Sequence, residues 1–137
     1  MYFLRERRPP SRAGRAAAAL LLGVATFQAL LAGGAPWGRA AYGGARTGVL
    51  PNSLRVSSAI AAVLYAVLAA AIGTRIAPDV VRSRITSGTS ALMIVGSIMN
   101  AASPSVVERI IWTPVAALLV ITLRRAVHMD GVDAGHT

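Results

Sequence analysis

Ser103, Ser105 and Glu108 are the one group in this 137-residue chain whose types and spacing suit nucleophilic or general acid–base chemistry, two hydroxyls closely followed by a carboxylate. The same spacing also describes a helix start. Ser103 before Pro104 fits an N-cap with proline at the first helical position, and Ser105 with Glu108 matches a capping box one turn on. Capping accounts for all three residues, so no catalytic residue is expected. A second grouping suits binding: Trp37, Arg39, Tyr42, Arg55, Asn100, Glu108, Arg109 and Trp112 come together if the segments holding them emerge on one side of a membrane. One reading of that cluster is an aromatic belt with a structural salt bridge from Glu108 to Arg39 or Arg55. The other is a small, net-positive pocket of Trp37, Arg39, Asn100, Glu108, Arg109 and Trp112 that takes an anionic headgroup or solute. His128, His136, Asp130 and Asp133 are metal-ligand types, but nearby glycines leave them unfixed, so neither metal nor cofactor is expected. With no cysteine, thiol chemistry, disulfides and cysteine-held metals are excluded.

The elements that position these residues follow from composition. Hydrophobic residues make up 55% of the chain and charged residues 14%, the balance of a membrane protein. All fourteen basic residues are arginine and the formal charge is +9. In a soluble chain that charge suggests nucleic acid. Here the arginines fall between apolar runs, where they set membrane orientation, and no nucleic-acid partner is expected.

Residues 1–15 read as a basic cytoplasmic arm holding Arg5, Arg7, Arg8, Arg12 and Arg15, with Pro9-Pro10 opposing a helix. A twin-arginine export signal at Arg7-Arg8 is the alternative, but Pro-Pro-Ser follows the pair in place of the usual polar and apolar pattern. Residues 16–35 carry no charge and, at about 1.5 Å per residue, span a bilayer core. The run is too long for a signal-peptide core and further apolar runs follow, so a retained helix is expected.

Residues 56–73 form a second span, with Ser58, Ala62, Ala66 and Ala70 as a ridge of small side chains suited to close packing. Residues 74–85 read as a connector in which Asp79 pairs with an arginine at the surface. Residues 86–102 are the third and most polar span. Its hydroxyls bond back to their own carbonyls, whereas the Asn100 amide needs partners. Residues 105–123 are the fourth span, with Glu108 and Arg109 in its first turns and Pro114 kinking it. Residues 126–137 read as a flexible cytoplasmic tail.

The fold class is thus all-α: four transmembrane helices in an up-down bundle, forming one domain over 16–125. With both termini inside, the arginines at 5, 7, 8, 12, 15, 75, 82, 84, 124 and 125 are cytoplasmic, while Arg39, Arg46, Arg55 and Arg109 are outside. The positive-inside bias favours that orientation in the cytoplasmic membrane. Loop 34–55 and hairpin 100–112 then share the outer side.

Two signatures, Gly34-Ala-Pro-Trp-Gly38 with Ala41-Tyr-Gly-Gly44 and Leu50-Pro51, then Asn100-Ala-Ala-Ser-Pro-Ser105 with Glu108-Arg109 and Trp112-Thr-Pro114, resemble uncharacterised small four-helix bacterial membrane proteins. The resemblance implies a fold and a location and supplies no activity. Small multidrug exporters need a carboxylate in the first helix, which residues 16–35 lack, and the signature glycines and phenylalanines of fluoride channels do not align. The expected function is that of a non-enzymatic accessory or envelope-associated component acting through helix packing. The alternative is an oligomeric channel or transporter for a small solute or ion. Expected partners are the lipid bilayer and a second copy or another membrane protein.

Overall fold

The computed structural model describes residues 7–134, with side chains described to residue 131. Arg5, Glu6 and His136, and the side chain of Asp133, lie outside the described residues. Four α-helices account for most of the described residues: α1 (Arg12–Gly33), α2 (Asn52–Gly73), α3 (Asp79–Ala101) and α4 (Val106–Ala134). Three of them, α1, α2 and α4, are long and apolar enough to cross a membrane. The polar α3, which carries Arg82, Arg84 and a run of hydroxyls, is not among these.

Helix limits follow from local chemistry. Ser11 caps α1, its Oγ accepting from Gly14 N at 3.1 Å, so Arg12 and Arg15 belong to the helix and the basic arm is shorter than expected. At the other end Gly34 takes φ 103° and returns its N–H to Leu30 and Leu31, a left-handed stop that suits glycine. Helix α2 follows Pro51 and starts at Asn52, four residues before the expected span.

Segment 74–85 differs most from expectation. Only 74–78 form a turn, because Pro78 sets an extended backbone from which α3 starts at Asp79. Arg82 is therefore a helix residue, 3% exposed. It donates to Asp79 Oδ1 at 2.8 Å and to Arg8 O at 2.8 Å, and lies 4.0 Å from Asp130 Oδ2. The expected surface pairing of Asp79 is in fact the rim of a buried guanidinium. Burying that charge is tolerable because carbonyls and carboxylates surround it.

Helix α4 runs to Ala134, past the end at residue 125 expected for the bundle, and Asp130 on it reaches α3. Pro114 lies within α4, which runs on through it.

The helices run up and down as two hairpins, α1 with α2 and α3 with α4, joined chiefly along α1 and α4. A Cβ at Gly73 would land on the Cβ of Ala18, so glycine sets how closely the first hairpin closes. The buried face of α2 is Ser58, Ala69 and Ile72, with Tyr65 packed beside it. This differs from the expected small-residue ridge, since Ala66 is exposed. Ala17, Leu21, Ile72, Met93, Leu119 and Leu123 form the shared core. A smaller cluster of Leu31, Ala41 and Leu50 sits under the loop between α1 and α2.

Candidate functional site

The loop of residues 34–51 folds over one end of the bundle and is fastened to α4. Two of its glycines leave no room for a Cβ. A Cβ at Gly38 would strike the carbonyls of Arg46 and Gly48, where the loop doubles back with Gly38 N donating to Gly48 O at 2.9 Å. At Gly44, φ is 68° and a Cβ would stand 2.6 Å from Ser105 Cβ. Tyr42 also has a positive φ of 50°, uncommon for a residue with a side chain. Its hydroxyl is held by Ser58 Oγ at 3.0 Å, which fixes that turn against α2.

Helix α4 supplies the fastening, and its start takes the second of the two forms expected from sequence. Ser105 caps the helix, accepting from Glu108 N at 3.3 Å and donating to Arg39 O at 2.7 Å. In an ordinary capping box the glutamate would reach back to the cap's own N–H. Here Ser105 N donates to Ser103 Oγ at 3.1 Å, and the Ser103 hydroxyl donates in turn to Glu108 Oε2. The other oxygen, Oε1, accepts from Gly43 N at 3.1 Å. One turn on, Trp112 Nε1 donates to Ala40 O at 2.7 Å.

Glu108 is 7% exposed, and its charge is balanced by hydrogen bonds from neutral donors. The expected salt bridge to Arg39 or Arg55 is absent among the described residues. Arg55 Nε instead donates to Ala32 O at 2.9 Å, closing the end of α1. Arg109 Nη1 donates to Ser103 O at 3.2 Å, and the Arg39 side chain is exposed. Arg55 and Arg109 therefore brace backbone carbonyls and do not pair with the carboxylate. The two tryptophans share an aromatic neighbour. Trp37 stacks on Phe27 with ring centroids 6.0 Å apart, and Trp112 tilts against the same ring at 4.5 Å. Phe27 thus joins the two tryptophans that sequence placed in a belt.

Beneath the loop lies a crevice of about 400 Å³ between α1, α3 and α4. Its polar edges include Gln28, Tyr42, Tyr65, Asn100 and Glu108, and apolar side chains such as Met93 and Val115 line much of the rest. Of the eight expected cluster residues, Tyr42, Asn100, Glu108 and Trp112 face it, and Trp37, Arg39, Arg55 and Arg109 do not. Among the described residues no arginine lines it, so the expected net-positive pocket is not formed.

Sequence reasoning missed Gln28, whose Oε1 is buried without a partner. The signal was present: a lone amide in an apolar run is as costly as Asn100 and needs the same explanation. No group of three or more metal-ligating residues occurs among the described residues. What the fold and site define is an all-α protein with three helices long and apolar enough for a membrane and a hydrogen-bonded loop cap. Comparison of the chain with protein-family models, curated proteins and solved structures finds no match.

Proposed function

We propose that the chain is a four-pass membrane protein without enzymatic activity of its own, acting through helix packing as an accessory or envelope-associated component. On this reading both termini are cytoplasmic and the loop cap faces outward, in keeping with the arginine distribution. It also stands with the small four-helix bacterial membrane proteins that its signatures resemble. Helix α3 would cross as well. Its 23 residues span about 34 Å, and hydroxyls such as Thr86 and Thr89 bond back to carbonyls of their own helix.

The observation that carries the non-enzymatic reading is the engagement of the reactive groups around α4. Glu108, Ser103, Ser105 and Trp112 all direct their polar atoms to the loop or to each other. A reacting group needs a lone pair or proton free for substrate, and these serve the cap. Glu108→Gln tests the assignment. The expected result is a lower thermal midpoint and lower abundance, with any liposome flux falling only as abundance falls. Normal abundance with flux abolished would overturn it. Reporters fused after Arg46 and after Asp130 test the topology, the first expected outside and the second inside.

One observation favours the alternative of an oligomeric channel or transporter: the crevice holds a buried, unpartnered Gln28 oxygen beside Glu108 and Asn100. Such a lining suits a neutral or cationic solute better than an anionic one. A monomer in bilayers, with no conductance or flux, would remove this reading.

A further inference from the structure

At the end of the bundle opposite the loop, a second recess of about 250 Å³ lies between α3 and α4, lined by Ser87, Ser90, Arg124, Val127 and His128. We propose that this recess binds a phosphate group, supplied in the membrane by a phospholipid headgroup. The depth assigned to it rests on the four-pass reading of α3 and α4.

Ser90 carries the inference furthest. It is 2% exposed, and its Oγ is buried with no hydrogen-bond partner. Its neighbours show what a hydroxyl on this helix otherwise does: Thr86 donates to Arg82 O at 2.7 Å and Thr89 to Ile85 O at 2.8 Å. Ser90 makes no such bond and lines the recess. A buried hydroxyl without a partner costs free energy, which an external acceptor would recover.

The facing side chains suit an acceptor that is also an anion. Arg124 and His128 stand one turn apart on the same face of α4, and neither has a partner among the described residues. A guanidinium matches phosphate oxygens in a fork, and Ser87 adds another hydroxyl. The nearest acid along α4, Asp130, is turned to Arg82 and does not line the recess.

Position selects the source. From Val106 to Arg124 the helix rises about 27 Å, close to the thickness of a bilayer's hydrocarbon core. A guanidinium there is level with the phosphates of the far leaflet, and the recess opens beside it.

The test uses the purified full chain in detergent, titrated with phosphatidylglycerol and followed by native mass spectrometry. The wild type retains one lipid. Arg124→Gln weakens retention about tenfold or more and Ser90→Ala about threefold, the range expected for losing a charged and a neutral hydrogen bond. Arg125→Gln removes the same charge from a residue outside the recess and leaves retention unchanged.

Ser90→Ala also guards against misfolding, because deleting an unpartnered buried oxygen leaves the thermal midpoint unchanged or raised. Equal losses in the two arginine variants, or retention indifferent to Ser90→Ala and Arg124→Gln, would overturn the proposal. A parallel titration with inorganic phosphate, read by phosphorus NMR, separates the sources. Saturable binding that falls in both recess variants, without lipid retention, assigns the site to free phosphate. Absence of both lipid and phosphate binding by the wild type overturns it. The reporter fusions read topology independently, so a wrong orientation and an empty recess give different results.

Discussion

Among the described residues each end of the bundle buries one charged side chain, and the two are satisfied in opposite ways. At the loop end Glu108 is held by a backbone N–H and a hydroxyl, both neutral. At the opposite end Arg82 is held by two carboxylates and the carbonyls of Arg8 and Thr74. Neutral donors with fixed directions locate a loop, because the carboxylate is satisfied only when Gly43 and Ser103 are in place. Ion pairs tolerate more movement, and with Asp79 25% and Asp130 19% exposed they are open to screening by salt. The loop end is thus set by geometry and the other end by charge.

The largest effect expected is at Gly44, where a side chain meets Ser105 and a left-handed backbone together. Gly44→Val should cost about 3 kcal/mol or more and lift the loop off α4, read by thermal unfolding in detergent. Glu108→Ala leaves Gly43 N and the Ser103 hydroxyl without their acceptor, at a cost of about 3 kcal/mol that 0.5 M salt leaves unchanged. Arg82→Met should cost about 2 kcal/mol, because the carboxylates it abandons are partly exposed. That cost should shrink in 0.5 M salt, as screening weakens the wild-type pairs. Equal salt dependence in the last two variants would erase the distinction between the ends. Trp112→Phe keeps the ring against Phe27 and loses only the bond to Ala40 O, for about 1 kcal/mol.

The sequence made the helical character and the start of α4 legible, since apolar run length and the Ser-x-x-Glu pattern are local signals. Ser105 and Glu108 do cap α4, and Tyr42, Asn100 and Trp112 do gather near them. Partner choice was not legible. Opposite charges on one side of a membrane suggested Glu108 with an arginine, yet Gly43 and Ser103 lie closer once the loop doubles back at Gly38. That reversal depends on backbone contacts between Gly38, Arg46 and Gly48, for which residue types give only the hint of a glycine-rich stretch.

Arg82 was misread for a related reason. Pro78 and Asp79 look like a turn followed by solvated charge, and nothing local shows that α4 extends to Asp130 and covers the guanidinium. Phe27 and Gln28 were passed over because a long apolar run hides which of its residues face inward.

The fastening of Gly43 by Glu108 also has a consequence in time. The two residues are 65 positions apart, so at cellular elongation rates the glutamate is made about 3–13 s after the loop. Once Gly73 has been made, both helices of the first hairpin exist while their connecting segment still lacks its clasp. Assembly of the protein therefore has a built-in order, in which the last helix to be synthesised locks a segment that has been waiting for it.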